Sequence, residues 1–371
     1  MVFSISVNVC CMKYVYIVIA VFFIAVNVVA QNLTVNNLQC EHKTNPIGID
    51  NTVPEFSWQL QSFKRGILQT AYRVLVADKI ELLQKNIGNI WDTKKVYSSN
   101  STQISFNGKK IITAAKYFWK VQVWDNKNNT QWSETANFTT GLFELKDWSN
   151  AKWIGYEEMP DSLVTVPGVH SPDIKRKLGL NKLKQRSLVP LFRKSFTANH
   201  KIANAVMYIS GLGHYELSIN GQNIGNSFLA PGWTNYDKRV LYNTYDVTET
   251  IKKGNNAIGV IVGNGFFNIN RERYIKLAIA YGYPKMICKL IITYSDGSSS
   301  TIVSDASWKT APSPITFSSI FGGEDYDANL EKTDWNTMMY NDAVWKQALT
   351  VAAPKGKLES ETDYPVKVND I

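Results

Sequence analysis

The segment Tyr117-Phe-Trp-Lys-Val-Gln-Val-Trp124 alternates strictly, with Tyr117, Trp119, Val121 and Val123 on one side of the chain and Phe118, Lys120 and Gln122 on the other. A period of two suits a strand buried on one face and cannot form the apolar stripe of a helix. Tyr72-Arg-Val-Leu-Val-Ala77 reads as a half-buried strand and Thr135 to Thr140 as a last strand, after which Gly141-Leu142 closes the unit. Short strands over roughly 110 residues, with Trp58 in an early one, predict an immunoglobulin-like or fibronectin-III-like sandwich over 31–145. One short helix or turn is expected between Ile80 and Lys85.

Trp148 and Trp153-Ile-Gly155 open a second unit. Phe192 to Phe196, Ala205 to Ile209 and Tyr215 to Ile219 read as strands, and Asn220-Gly221 is a type I′ hairpin signal. Asp246 is placed to cap one helical turn through Ile251. Ala257 to Val262 and Met286 to Tyr294 are near-continuous apolar strands, and Asp296-Gly297 is a second hairpin turn leading to Thr301 through Ser304. Roughly 200 residues of this pattern fit a larger jelly-roll β-sandwich. The expected fold is therefore all-β, with the jelly roll over 146–355 and the start of a further domain over 356–371.

Residues 1–30 carry a single charge, Lys13, then an apolar run from Tyr14 to Val26 and small residues at Val28 and Ala30. This is the pattern of a signal peptide cleaved after Ala30, and Met12-Lys13 is a more typical start than Met1. The run is short and its flank is not basic, which disfavours a membrane anchor. The expected location is secreted or periplasmic. Cleavage removes Cys10 and Cys11 and leaves Cys40 and Cys288, either joined in a disulfide or kept as two buried thiols.

A formal charge of +9 raises nucleic acid as a partner. The densest basic run, from Lys175 to Arg186, is short and lacks interleaved aromatics, so a solvated loop is expected and no nucleic-acid groove. Several catalytic templates fail. Gly263-Asn-Gly265 lacks the third glycine of a dinucleotide fingerprint and has no helix after it, so a tight turn is expected. No GxSxG elbow occurs, and His42, His170, His200 and His214 lie far apart without metal-ligand spacing. Asp325, Asp327 and Asn329 match the start of an EF-hand loop, but Leu330 stands where that loop needs glycine and Asn336 where it needs glutamate. Trp233-Thr-Asn-Tyr-Asp237 follows Pro231-Gly232 in a turn-rich stretch, where an aromatic ring beside amide and carboxylate groups suits either a sugar or a packed corner.

The ordered series of motifs resembles the bacterial α-L-rhamnosidases of glycoside hydrolase family 78. In the first unit the resemblance rests on Pro54-Glu-Phe-Ser-Trp58, Gln69-Thr-Ala-Tyr-Arg-Val74, Trp132-Ser133 and Phe138-Thr-Thr-Gly-Leu142. In the second it rests on Phe192-Arg-Lys-x-Phe196, Gly211-Leu-Gly-x-Tyr-Glu216, Pro231-Gly-Trp-Thr-Asn-Tyr236, Gly254-Asn-Asn-Ala-Ile-Gly259 and Gly323-Glu-Asp-Tyr-Asp327.

The resemblance implies that these β domains precede a further sandwich and an (α/α)6 barrel, whose carboxyl groups hydrolyse terminal rhamnose with inversion. The sequence ends at Ile371, where that next sandwich would begin, so the expectation is an amino-terminal portion without the catalytic barrel and with no catalytic residue to assign. Such a portion would contribute carbohydrate recognition and scaffolding, with a rhamnose-containing glycan and the downstream catalytic domains as its partners. The alternative is a stand-alone secreted module that binds rhamnosyl glycans without enzymatic activity. Calcium accompanies rhamnose in some members; no cofactor is required and no metal ligand can be placed. Turn position and side-chain chemistry nominate Asn220, Trp233, Tyr236 and Asn264 as sugar contacts, and Glu324 and Asp327 as supports of the interface with the downstream domains.

Overall fold

The computed structural model describes residues 33–170, 188–269, 273 and 276–368, so the leader over 1–30 and the basic run over 175–186 lie outside the described residues. In the first unit, a three-stranded sheet of Thr34–Cys40, Glu55–Gln61 and Ile104–Ser105 faces a sheet built on Gln69–Ala77 and Lys116–Asp125. Tyr117, Trp119, Val121 and Val123 all point into the core between them, as the alternation requires. Trp119 packs against Phe56 with ring centroids 4.6 Å apart. The buried Trp58 donates its indole N–H to Gln69 Oε1 at 3.0 Å, so the aromatic core leaves that polar atom paired. The short helix is Ile80–Gln84.

The second unit is a two-sheet sandwich. One sheet runs Leu349–Thr350, Ile154–Gly155, Lys285–Tyr294, Ile202–Leu212, Arg239–Asp246 and Lys357–Ser360, with Ser299–Val303 also paired to Lys285–Tyr294. The other runs Gln222–Asn223, His214–Ile219, Gly254–Gly263, Pro190–Ala198, Lys309–Pro312 and Lys346–Gln347. Met207, Ile209, Leu217, Val260, Cys288 and Leu290 fill the space between them. Asn220 and Gly221 both have positive φ, 53° and 81°, the backbone of the expected type I′ turn. The Asp246 carboxylate accepts from the Thr248 N–H at 3.0 Å and caps the single turn that ends with the Ile251 N–H on the Val247 carbonyl. Cys40 and Cys288 sit in different units as free, buried thiols, which settles their alternative; burial raises both thiol pKa values far above normal.

The apolar runs of the second unit are nearly continuous because the seven-stranded sheet is buried on both faces. Along Ile202–Leu212, Ala205, Met207 and Ile209 enter the sandwich core, while Val206, Tyr208 and Leu212 enter a second core with Leu142, Trp148 and Trp153. That second core joins the two units. The Tyr242 hydroxyl accepts from the Leu142 N–H at 2.8 Å, and Trp148 meets the Tyr242 ring edge-on at 5.3 Å. A Cβ on Gly141 would lie 2.3 Å from that hydroxyl, so the close approach requires glycine there.

The outer face of the six-stranded sheet is also covered. Arg193, 1% exposed, donates to the carbonyls of Trp335 (2.9 Å) and Thr337 (2.7 Å) and forms an ion pair with Asp342. It thereby straps the 335–345 segment over Leu191 and Ala311, with Trp345 buried between them. Replacing Arg193 would strand these acceptors, so Arg193→Met is expected to destabilise the fold by about 2–4 kcal/mol and to loosen the strapped segment enough for trypsin to cut at Lys332 and Lys346. Urea unfolding and limited proteolysis read both effects; an unchanged midpoint with intact protection would contradict the strap.

Candidate functional site

The nominated residues divide between framework and surface. Asn220 donates its side-chain amide to the Thr250 carbonyl (3.0 Å) and to Asn256 Oδ1 (2.8 Å), and its own Oδ1 accepts the Ala257 N–H (2.9 Å). These bonds hold the hairpin against the neighbouring strand. Asn264 is fully buried, and its Oδ1 accepts the Asn268 amide at 2.8 Å, which ties together the turn that follows Gly263. Gly265 takes φ 47° there, and a Cβ on it would come within 2.8 Å of the His214 ring, so the turn needs its glycine for close packing.

Trp233 and Tyr236 lie on one turn but face different surroundings. Trp233 is 53% exposed and stacks flat on Phe266, with centroids 4.2 Å apart and planes at 10°. Phe321 meets Phe266 edge-on at 6.4 Å, so three rings form a surface ladder. Tyr236 is 2% exposed and packs edge-on against both Phe267 and Tyr281. Consecutive phenylalanines thus serve the two aromatic groups, Phe266 beneath Trp233 and Phe267 beside Tyr236. A stacked, half-exposed ring offers an apolar platform of the type that sugar C–H faces cover.

Glu324 is exposed on the strand Gly323–Tyr326, which pairs with Ile315–Ser319. Asp327 caps the short turn Ala328–Leu330 by accepting the Asn329 N–H at 3.0 Å. Asp325, between them, pairs with Arg273, whose guanidinium lies 4.1 Å from the Phe317 ring centroid and holds the carboxyl below its usual pKa. The spacing that imitates an EF-hand thus serves an ion pair and a cap. Among the described residues no group of three or more His, Cys, Asp or Glu side chains is placed to hold a metal ion.

Two clefts of the second unit were not legible in the sequence. The first, about 370 Å³, lies between His214–Ile219 and the loop 223–229 and is lined by Glu216, Asn223, Asn226, Ser227 and Phe228 among others. His214 stands at its edge. Burial holds its imidazole pKa below the ordinary value, against the raising effect of the Pro231 and Leu229 carbonyls. The second cleft, about 270 Å³, opens beside Tyr236 and is lined by Glu157, Glu158, Asp161, Asp237, Tyr281 and Lys285 among others. Its walls come from four separated stretches of chain, which no local motif could bring together.

The His214 shift fixes a pH dependence. A base whose folded pKa lies below the unfolded value of about 6.5 favours folding when neutral, so its contribution is complete above that pH and is lost as the pH falls below it. Thermal midpoints should therefore drop between pH 7.5 and pH 5 more steeply for the parent than for His214→Gln; parallel curves would remove His214 as the cause.

Comparison with known proteins agrees with this architecture. Residues 35–144 match the Rha78A-like N-terminal immunoglobulin domain, and residues 200–370 match the α-L-rhamnosidase N-terminal domain. An α-L-rhamnosidase of Formosa agariphila is 37% identical over 313 residues, covering 82% of this chain and 32% of the relative. One from Alteromonas sp. is 34% identical, with 85% and 32% covered. The solved α-L-rhamnosidase from Dictyoglumus thermophilum superposes with a TM-score of 0.75 at 40% identity, covering 88% of this chain and 35% of that one. The Streptomyces avermitilis α-L-rhamnosidase complexed with L-rhamnose shares the fold, with a TM-score of 0.77 at 23% identity, covering 91% of this chain and 47% of that one. The chain spans about a third of the length of the curated relatives from Formosa agariphila and Alteromonas sp.. The chain carries the immunoglobulin-like and N-terminal domains of the family 78 α-L-rhamnosidases.

Proposed function

We propose that this chain is the recognition and scaffold part of an exported α-L-rhamnosidase, secreted or periplasmic through its leader, that acts on glycans with terminal α-L-rhamnose. The observation that carries the reading is the Trp233 platform, a half-exposed indole held flat by Phe266 on a turn whose Gly232 N–H is anchored by the Glu361 carboxylate at 2.7 Å. An exposed ring fixed from beneath loses little freedom when a sugar covers it, which favours binding. In this reading, hydrolysis belongs to the paired carboxylates of a barrel that follows these domains, and the exposed Glu324 and the capping Asp327 stand where those domains dock. Recognition requires no cofactor; calcium is tested directly.

Calorimetric titration of residues 31–371 with a rhamnose-terminated oligosaccharide, with calcium and then with chelator, tests the reading. Trp233→Ala should weaken binding about tenfold, as expected for loss of one aromatic stacking contact, and leave the fold intact. An aryl rhamnoside should not be hydrolysed by this portion. Undiminished binding by Trp233→Ala would dismiss the platform, and turnover of the aryl rhamnoside would place catalysis on these domains.

A further inference from the structure

In the immunoglobulin-like unit, the strand Lys116–Asp125 sends Tyr117, Trp119, Val121 and Val123 into the core, so Lys116, Phe118, Lys120, Gln122 and Trp124 lie on its outer face. The adjacent strand Thr130–Trp132 sets Trp132 opposite Gln122 on that face. The helix Ile80–Gln84 covers one end, where Leu82 packs with Phe118 and Trp132. Each ring of this face carries an ammonium group. Lys116 Nζ lies 5.7 Å from the Phe118 centroid and Lys120 Nζ 4.3 Å from that of Trp132. Lys95 Nζ lies 4.6 Å from the Trp124 centroid and 5.1 Å from that of Tyr97, a ring 81% exposed.

Positive charge on this face is in surplus. Asp92, which the register sets opposite Leu75, accepts from Arg73 at 2.9 and 2.8 Å and from Lys94 at 2.7 Å. Those contacts, Arg73 first, hold its carboxyl well below the usual carboxylate range, so it is fully committed. Among the described residues no ion pair takes Lys95, Lys116 or Lys120; Lys120 donates to the neutral Asn86 Oδ1 at 2.7 Å. A ring beneath an ammonium holds it in place, so less side-chain freedom is lost when an anion arrives. Phe118 and Trp124 stand six positions apart on one strand, about 20 Å, and the three cations therefore form a row.

We propose that this sheet face docks an acidic polysaccharide built of uronate sugars, with Lys95, Lys116 and Lys120 meeting its carboxylates and the rings beside them meeting its C–H groups. Complementarity to three unpaired cations requires a polyanion, and a row requires an extended one, since a small anion would meet one cation alone. A nucleobase laid flat on any of these rings would displace the ammonium that the neighbouring phosphate needs. A uronate carries its carboxylate directly on a ring carbon, so charge and C–H surface stay as close together as each ammonium and its aromatic ring. That the same glycan bears the terminal rhamnose rests on the function proposed above; that the face takes a polyuronate does not.

Affinity for immobilised polygalacturonate, measured at low salt, tests the face. Lys95→Gln, Lys116→Gln and Lys120→Gln should each weaken binding roughly threefold, and the triple variant about thirtyfold. A matched triple variant of exposed lysines in the second unit, Lys201→Gln, Lys252→Gln and Lys253→Gln, should bind as the parent does. Trp124→Leu removes the ring under Lys95, so its loss should not add to that of Lys95→Gln. Equal loss in the two triple variants would reduce the effect to net charge and overturn the proposal. So would no binding by the parent, equal affinity for the methyl-esterified polymer, or tighter binding of dextran sulfate, poly-L-glutamate or polythymidylate through the same lysines. Polygalacturonate contains no rhamnose, so the two readings fail separately. Lysine-dependent binding of it by a chain with no affinity for rhamnose-terminated oligosaccharide would keep the face and remove the rhamnosyl reading. Rhamnose binding through Trp233 without polygalacturonate binding would remove the face alone.

Discussion

The Tyr242 hydroxyl, bonded to the backbone of Leu142, marks the constraint on which the molecule is organised: the seven-stranded sheet has no solvent face near its centre. Each strand there must present apolar side chains in both directions, one set to the sandwich core and one to the neighbouring unit. Exposed on its own, the face bearing Val206, Tyr208, Tyr242 and Ile287 would be a large apolar patch. The immunoglobulin-like unit and the Trp148–Trp153 linker cover it, so the sandwich and its cover form one folding problem.

The other sheet meets its outer surface differently. Arg193 draws the 335–345 segment across that face through carbonyls and a carboxylate. An all-apolar cover would seal the same area, but the guanidinium fork specifies where each carbonyl must sit. With that face covered there, the clefts lie elsewhere in the unit, one against the 223–229 loop and one at the end of the seven-stranded sheet.

The sequence revealed what depends on neighbours along the chain. Strict alternation from Tyr117 to Trp124 announced one buried face, and Asn220-Gly221 announced its turn, because both are local physical demands. Near-continuous apolar strands announced burial without saying against what. Arg193 stood inside a recognisable strand motif, yet Asp342 lies 149 residues away, and nothing in either neighbourhood signals the pair. Asn220 and Asn264 were attractive as sugar contacts because turns expose side chains, whereas the structure engages their amides in fastening those same turns. Tyr236 drew notice as a ring on a turn, but only the folded chain shows that its hydroxyl is left unmatched.

The last strand of the seven-stranded sheet, with the chain just after it, carries a mechanical consequence. Lys357–Ser360 lies parallel to Arg239–Asp246, the Ser360 N–H reaches the Asp50 carboxylate at 2.8 Å, and the Tyr364 hydroxyl donates to the His42 carbonyl at 3.1 Å. Between those two tethers, Glu361 holds the Gly232 N–H at the base of the Trp233 turn. One short stretch of chain is therefore sewn to the first unit on one side and to the aromatic turn on the other. The immunoglobulin-like unit works as a splint: any tilt of one unit against the other pulls on the thread that anchors the turn carrying the indole.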